Sequence, residues 1–319
     1  MSTVLLFGEP QVTLTAPKPR KRKNSTAYTW TVSGPEVNVA IGLCRLGHSV
    51  RFLSRLGEDP FGHCIFNMFQ ANGIDTSAIT WDPRYSTGIR LKRPDEQKST
   101  LSSSLQKTAA SHISLEDIDA LDLSDIDLIH LTGSVLTSSL QTRQAAFHLL
   151  DLARDQQIPI SFDPDLHPDR WEDEETMKAV VHEIVARTDI FLPDLEECEQ
   201  LCGLQSLEEI FDFYESLGAK TTVIKDGSNG ASYRTDGEIL RIPGFPVDQI
   251  VDSTGAGDGF AAGLLSGILE ELPLFESIRR GNALGAFQVT SPSDNDDLPK
   301  RADLISYIDR IWIEPEEII

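Results

Sequence analysis

The segment Asp-Ser-Thr-Gly-Ala-Gly-Asp at residues 252–258 has the residue types and the spacing of an anion-binding helix start. Its Ser and Thr are typical helix caps, and the small residues after them leave the first backbone N–H groups accessible. Such N–H groups and the positive end of the helix dipole attract an anion. We therefore predict that Gly255, Ala256 and Gly257 form a cradle for a phosphoryl group or an oxyanion.

Asp258 follows this cradle directly. A carboxylate there would stand beside a bound phosphoryl group and can accept the proton of an attacking hydroxyl. The helix N-terminus would stabilise negative charge on the group in transfer. The alternative is a glycine-rich helix start without a ligand, because short glycine motifs are weak signals. The segment is neither a Rossmann fingerprint nor a Walker A loop, since the glycine and lysine spacings of those motifs are missing.

The elements that must position this segment alternate along the chain. Short apolar runs, such as residues 128–131 and 221–225, predict strands, and longer periodic runs, such as 195–202 and 301–312, predict helices. This alternation favours a mainly parallel sheet with helices on both faces. No linker divides the chain, so residues 1–319 are expected to form a single domain.

Two stretches, about 11–33 and 88–106, are rich in Thr, Ser and charge and do not fit the alternation. We expect them to pair into a small antiparallel sheet that projects from the main body. Beside a cleft, such a sheet would serve as a lid. An exposed sheet edge on the lid would also allow two chains to pair, so a homodimer through the lid is left open.

The charge balance excludes several function classes. The chain has 50 acidic and 28 basic residues, a formal net charge of −22, so it repels nucleic acid and anionic membranes overall.

No apolar run reaches the roughly 18 residues of a membrane helix, and the N-terminus lacks signal-peptide features. Cys198 and Cys202 have no further ligands nearby that would complete a zinc site. We expect a cytoplasmic protein without nucleic-acid or membrane partners.

One basic run, residues 18–23, stands out in this acidic chain. It is compatible with a nuclear address or a polyanion contact. A solvated loop at the tip of a hairpin is the simpler interpretation, because charge runs usually lie in solvent.

The sequence from Asp252 to Gly263 resembles the C-terminal signature of the ribokinase-like (PfkB) carbohydrate kinases. Further blocks resemble the same family in order along nearly the whole chain. They are Gly8-Glu9-Pro10, Gly34-Pro35-Glu36-Val37-Asn38, the segment 55–62, the segment 73–76, Thr108-Ala109-Ala110-Ser111, Asp163-Pro164-Asp165-Leu166-His167-Pro168 and Asp194-Leu195-Glu196-Glu197. The opening block is similar to that of 2-keto-3-deoxygluconate kinases and fructokinases.

This resemblance implies a ribokinase-like α/β fold, a three-layer αβα sandwich with a mainly parallel central sheet and a small β-sheet lid. It implies transfer of a phosphoryl group from ATP, with Mg²⁺, to a sugar hydroxyl that Asp258 deprotonates. A monovalent-cation requirement stays open. The resemblance also implies roles for seven further residues. They are Gly34 and Asn38 at the sugar, Lys225, Gly227 and Gly230 at ATP, and Asp194 and Glu197 at ATP and, indirectly, at magnesium.

Several of these residues also have ordinary structural interpretations. Glu197 is typical of the acidic first turn of a helix, and Asn38 is equally typical of a hydrogen-bonding residue on a helix face. The stretch from Lys225 to Gly230 is compatible with an exposed hairpin. Asp194 stands where the family has asparagine, a change that adds negative charge but keeps an oxygen ligand suited to Mg²⁺.

The predicted sugar side departs from the family. Kinases of 2-keto-3-deoxygluconate hold the substrate carboxylate with arginines, but residues 103–107 contain none, and His167 replaces another. Neither histidine nor glutamine reproduces the bidentate guanidinium fork. Asp165 and His167 remain candidates for substrate binding. Arg90 either supplies the lost positive charge or is a solvated strand residue.

The leading hypothesis is an ATP-dependent kinase for a primary hydroxyl of a sugar or sugar acid, with a 2-keto-3-deoxygluconate-like substrate favoured. Loss of the arginines favours the alternative of a fructokinase or another neutral-sugar or nucleoside kinase. A non-catalytic sugar sensor is a third hypothesis. The intact Asp258 and its cradle argue against it.

Overall fold

The computed structural model describes residues 2–16, 27–92, 108–291, 295, 297–311 and 316–317. The basic run at 18–23, the segment 103–107 and residues 93–106 of the predicted lid lie outside the described residues.

Strands and helices alternate through most of the described chain. The strands are β1 Thr3–Phe7, β2 Gln11–Thr15, β3 Thr29–Ser33, β4 Ser49–Gly57, β5 Ile79–Asp82, β6 Gly88–Lys92, β7 Leu128–Thr132, β8 Ile160–Asp163, β9 Ile190–Phe191, β10 Thr221–Lys225, β11 Ala231–Thr235, β12 Glu238–Ile242 and β13 Glu316–Glu317. The helices are α1 Pro35–Arg45, α2 Pro60–Ala71, α3 Leu115–Asp119, α4 Gly133–Ser138, α5 Leu140–Asp155, α6 Glu174–Val185, α7 Leu195–Cys202, α8 Leu207–Leu217, α9 Ala256–Leu269, α10 Leu274–Gln288 and α11 Arg301–Ile308.

The central sheet of the described chain has ten strands in the order β13-β12-β11-β10-β9-β8-β7-β1-β4-β5. The strands from β10 to β5 run parallel to their neighbours, whereas β11, β12 and β13 add an antiparallel edge. The expected mainly parallel sheet is therefore confirmed. Strand order reverses between β1 and β7, and such a reversal opens a crevice at the carboxyl ends of the two strands.

The sheet separates two hydrophobic cores. Along β1, Val4 and Leu6 point into one core, while Leu5 and Phe7 point into the other, as the two-residue period of a strand requires. Side chains of α1, α2, α9, α10 and α11 complete the first core, and those of α3 to α8 complete the second. Helices thus cover both faces, which confirms the three-layer αβα sandwich.

A second, three-stranded sheet has the order β3-β2-β6. β2 pairs with β3 antiparallel, but β6 runs parallel to β2. The prediction of an antiparallel sheet is therefore confirmed for the pairing of β2 with β3 and wrong for that of β2 with β6. A tight hairpin cannot join parallel neighbours, and here α1, β4, α2 and β5 lie between β2 and β6 in the chain and carry it back.

Some predicted boundaries need correction. The helix predicted to end at Trp312 stops at Ile308 in the described chain. The short strand β5 and the short helices α3 and α4 were not predicted, because segments this short show no clear periodicity. The helix α7 has the predicted bounds, 195–202. Among the described residues, no helix combines the length and apolar character needed to cross a bilayer.

Candidate active site

A cavity of about 730 Å³ lies where the carboxyl ends of the parallel strands face the three-stranded sheet. Five of its residues follow or end successive parallel strands. They are Glu9 after β1, Ser134 after β7, Asp163 at the end of β8, Asp194 after β9 and Lys225 at the end of β10. This edge of the sheet is where open α/β folds bind ligands.

The structure brings most of the predicted site residues to the wall of this cavity. They are Gly34, Asn38, Arg90, Asp165, His167, Asp194, Glu197, Lys225, Gly255, Ala256, Gly257 and Asp258. Gly227 and Gly230 are not on the described wall but in the turn between β10 and β11. A Cβ at Gly230 would lie 2.0 Å from the carbonyl oxygen of Ile242, so the hairpin itself requires glycine there. Binding of ATP by these two glycines stays a prediction.

The predicted cradle has the local geometry of an open helix start. Gly255 is the N-cap of α9 with φ 81°, and a Cβ there would lie 2.9 Å from Nε2 of Gln288. Within the described chain, the backbone N–H groups of Gly255, Gly257 and Asp258 donate to no other backbone group. The N–H of Thr254, in contrast, donates to Oδ1 of Asp252 at 3.0 Å. The Ala256 N–H, which was predicted to belong to the cradle, instead donates to the Ser253 carbonyl oxygen at 3.3 Å, so the amides left for an anion are those of Gly255, Gly257 and Asp258.

Asp258 is held by an amide of the neighbouring helix α1. Nδ2 of Asn38 donates to Oδ2 of Asp258 at 2.7 Å, and Nδ2 of Asn295 donates to Oδ1 of Asn38 at 3.0 Å, which fixes the orientation of the Asn38 amide. Burial, followed by the negative charge of Asp165, raises the pKa of Asp258 well above its usual value. The site therefore favours uptake of a proton by this carboxyl group.

Lys225 projects from the end of β10 towards the same cradle. Its Nζ lies 3.4 Å from the position that a Cβ on Gly257 would occupy, and it donates to Oδ2 of Asp163 at 2.5 Å. Burial lowers the pKa of Lys225, but the carboxylates of Asp163 and Glu197 outweigh burial and raise it above the ordinary lysine value. A positive charge thus stands beside the unpaired amides.

Asp194 and Glu197 form a capping box at the start of α7. The Glu197 N–H donates to Oδ1 of Asp194 at 2.7 Å, and the Asp194 N–H donates to Oε2 of Glu197 at 2.8 Å. The N–H of Leu166 donates to the other oxygen, Oε1 of Glu197, at 2.6 Å. Burial raises the pKa of Glu197 to about 8, although the Lys225 charge opposes this shift. The carboxyl of Glu197 is thus fully used in holding two loops together.

Asp194 and Glu197 are therefore not equally suited to bind magnesium. No cluster of three or more His, Cys, Asp or Glu side chains with metal-site geometry occurs among the described residues. Oδ2 of Asp194 accepts no hydrogen bond from a described residue, so Asp194 can face an ion or its water shell. Mg²⁺ often keeps several waters and takes only one or two carboxylates, a mode that Asp194 suits.

The adjoining part of the wall is formed by the turn after β8. Asp165 has φ 37°; its Oδ2 accepts a hydrogen bond from Oγ of Ser134 at 2.9 Å, and its Oδ1 lies 3.5 Å from Nε2 of His167. Burial lowers the pKa of His167, and the negative charge of Asp165 opposes the shift. Arg90 reaches this region from β6, on the face of the small sheet that also carries the cavity residues Gln11 and Ser33.

Sequence reasoning missed four charged residues of the wall, namely Glu9, Asp163, Asp169 and Arg170. Glu9 and Asp163 lay inside recognised blocks, and their place just after β1 and at the end of β8 was a usable signal. Arg170 had no comparable signal, because it belongs to a single 3₁₀ turn, Pro168–Arg170, that has no periodic pattern.

A buried carboxyl group, an amide cradle and a lysine at the carboxyl edge of a parallel sheet together define a class, the small-molecule kinases. Comparison with known proteins agrees with it and specifies it further. Residues 1–301 match the family described as pfkB family carbohydrate kinase. The chain belongs to this family, which confirms the predicted kinase class.

Individual relatives cover nearly the full chain. The chain is 33% identical to a 2-dehydro-3-deoxygluconokinase of Bacillus subtilis over 304 residues, which are 95% of this chain and 94% of that enzyme. It is 30% identical to a 5-dehydro-2-deoxygluconokinase of Clostridium beijerinckii over 86% of this chain and 83% of that enzyme. The crystal structure of a PfkB protein from Polaromonas sp. JS666 superposes with a TM-score of 0.86 at 36% identity, covering 96% of this chain and 100% of that one.

Proposed function

We propose that this protein transfers the γ-phosphoryl group of ATP to a primary hydroxyl group of a keto-sugar acid similar to 2-keto-3-deoxygluconate. The observation that carries the proposal is that Asp258 directly follows the open amides of α9 and that the ammonium group of Lys225 lies beside Gly257. The arrangement joins a proton acceptor to two sources of positive potential, which is what phosphoryl transfer needs.

In the proposed reaction, Asp258 takes the proton of the sugar hydroxyl as its oxygen attacks the γ-phosphorus. The bond from that phosphorus to the β–γ bridging oxygen breaks, and ADP leaves. The amides of Gly255, Gly257 and Asp258 and the ammonium group of Lys225 stabilise the charge on the phosphoryl oxygens. Asn38 holds the Asp258 carboxyl in place through its 2.7 Å hydrogen bond.

In the proposed reaction, magnesium would bind the phosphate groups of ATP. Asp194 is the residue proposed to hold the ion or its waters, and Glu197 supports Asp194 through the capping box. When bound, Mg²⁺ neutralises charge on the phosphate oxygens. A monovalent-cation requirement, a cytoplasmic location and a homodimer through the lid remain predictions.

The choice of a sugar acid rests on the relatives. Two curated relatives are named for kinases of dehydro-deoxygluconates, both sugar acids. The second candidate is a kinase of a neutral sugar such as fructose, favoured by His167 at a position where 2-keto-3-deoxygluconate kinases carry arginine.

The test is ADP release in a coupled assay with MgATP and a panel of 2-keto-3-deoxygluconate, 5-keto-2-deoxygluconate, fructose, ribose and adenosine. We expect the highest kcat/KM with a keto-deoxygluconate. A higher value with fructose or adenosine would select the second candidate. No acceptor-dependent ADP release, with binding of the same sugars retained in a thermal-shift assay, would indicate a sugar sensor instead.

A further inference from the structure

Arg170 is a charged residue of the cavity wall, and no described residue forms an ion pair with it. Its side chain lines the same cavity as Asp258. Its Nε is buried and has no hydrogen-bond partner among the described residues, and its guanidinium forms no ion pair with them. A buried guanidinium nitrogen without a partner is unfavourable, so an occupant of the cavity that accepts hydrogen bonds would be stabilised there.

The neighbours of Arg170 place it on the sugar side of the cavity. Burial raises the pKa of Glu9, and the positive charge of Arg170 opposes that shift. Burial lowers the pKa of His167, and the charge of Arg170 adds to that shift. The Glu9 carboxyl is already used, since its oxygens accept hydrogen bonds from Thr108 at 2.7 Å and Ser138 at 2.8 Å. The ammonium at the cradle is instead neutralised by Asp163. Unlike Lys225, Arg170 therefore keeps a positive charge that no described carboxylate neutralises through an ion pair.

The local backbone explains how Arg170 reaches the cavity. His167 is the N-cap of the 3₁₀ turn Pro168–Arg170, and the Arg170 N–H donates to the His167 carbonyl oxygen at 2.9 Å. Side chains three residues apart eclipse one another in a 3₁₀ turn, so positions 167 and 170 share a face. The guanidinium group of Arg170 can therefore reach the same part of the cavity as the side chain at position 167.

A second guanidinium supports the same region from the other side. Arg90 lines the cavity from β6, and its charge also lowers the pKa of His167. Two arginines thus converge near His167 in a chain whose formal net charge is −22. Asp165 and Asp169 also act on His167, so the local charge is mixed, and it is the planar guanidinium group on the wall that suits a carboxylate on the substrate.

We propose that Arg170 binds the carboxylate group of the sugar-acid substrate and thereby determines the preference for acids over neutral sugars. This inference rests on the proposed function, because it assigns a partner to the acid group of that substrate. It makes Arg170, rather than the residue at position 167, the source of the bidentate contact.

The experiment compares wild type with Arg170→Met, Arg170→Lys and the control Arg154→Met, an exposed arginine outside the cavity. Each protein is assayed with MgATP and either 2-keto-3-deoxygluconate or fructose. Arg170→Met is expected to lower kcat/KM for the acid about 100-fold, mainly through KM, and to leave the value for fructose within about twofold. Arg170→Lys should lie between these, since it keeps charge but loses the fork.

Equal losses for the acid and for fructose would overturn the proposal, because a merely structural role affects both alike. An unchanged ratio of the two kcat/KM values would overturn it as well. Binding of 2-keto-3-deoxygluconate without ATP, measured by calorimetry, distinguishes a failure of the proposed kinase function from a failure of the proposed role of Arg170. If wild type binds the acid but transfers no phosphoryl group, the proposed function fails, whereas weaker binding by Arg170→Met alone still supports the role of Arg170.

Discussion

At the scale of single residues, the site is organised by carboxyl groups in different surroundings. Asp258 is buried among other acids and has a raised pKa, whereas Asp252, on the preceding loop, has a lowered pKa despite the opposing effect of burial, because Lys92 and the Thr254 amide bind it. A raised pKa suits a group that must take up a proton, and an ionised carboxylate suits a group that anchors a loop.

Replacing Asp258 by asparagine should have opposite effects on catalytic activity and on stability. The new side-chain amide can still accept the hydrogen bond from Asn38 but cannot take a proton, so kcat should fall about 10²- to 10⁴-fold. The free energy of unfolding at pH 7 should rise, because the cost of burying a carboxyl group that can ionise disappears. Steady-state kinetics and urea unfolding of the same preparation measure both effects. Full activity in this variant would exclude Asp258 as the base.

The ion pair between Lys225 and Asp163 leads to a second prediction. Lys225→Met leaves Asp163 buried without its cation and should lower the free energy of unfolding by about 3–5 kcal/mol. The double variant with Asp163→Asn should recover most of that stability but not the kcat, because the charge beside the cradle is still absent. Recovery of kcat in the double variant would show that Lys225 acts only on the fold.

At the scale of elements, one ion pair joins the small sheet to the loop that carries the cradle. Nζ of Lys92, at the end of β6, donates to Oδ2 of Asp252 at 2.6 Å. The N–H of Asp252 and that of Val251 both donate to the Val289 carbonyl oxygen, at 3.3 and 2.8 Å, which ties the loop to the end of α10. Lid position and cradle geometry are therefore mechanically connected, if the small sheet serves as the predicted lid.

We expect Lys92→Met to weaken this connection without unfolding the protein, since a partly exposed ion pair contributes at most about 1 kcal/mol. A less well-held lid admits water, so the rate of ATP hydrolysis without sugar should rise several-fold relative to transfer. ADP release with and without acceptor gives this ratio. The matched control is Lys220→Met, an exposed lysine paired with Asp189 outside the cavity. An equal ratio in both variants would argue against the lid.

At the scale of the whole molecule, stability should depend on pH through a carboxyl group at the meeting point of α1, β1 and β7. Glu36 is fully buried, and its Oε1 accepts a hydrogen bond from Thr132 at 2.5 Å, while Oε2 has no partner among the described atoms. A Cβ on Gly8 would lie 2.7 Å from Oε2, so the packing is close. Burial raises the pKa of Glu36 to about 8, and the Thr132 hydrogen bond only partly opposes it.

The sign of the pH effect follows from this shift. The folded protein holds the Glu36 proton more tightly than the unfolded chain, so the contribution to stability is complete below the unfolded pKa of 4.5 and is lost as pH rises towards about 8. Relative to Glu36→Gln, wild type should lose at most about 1.4 kcal/mol per pH unit in this window. Urea unfolding at pH 5, 6, 7 and 8 measures the difference. The exposed Glu175→Gln serves as the control, and a pH-independent difference for Glu36→Gln would contradict the prediction.

The sequence by itself determined the features that depend on neighbours along the chain. Residues 252–258 predicted the helix start, the cradle and the position of Asp258, because cap residues, small residues and a dipole act within one turn. The alternation of strands and helices predicted the mainly parallel sheet for the same kind of reason. The family resemblance supplied Asn38 and Lys225 as site residues but not their contacts.

Only the tertiary structure decided which distant groups meet. The hydrogen bond between Asn38 and Asp258 joins positions 220 residues apart, and that between Asp163 and Lys225 joins positions 62 apart. Both depend on strand order and on the edge at which the strands end, which local spacing does not encode. The parallel pairing of β6 and the turn that brings Arg170 to the cavity have the same origin, since each is set by the return path of the chain.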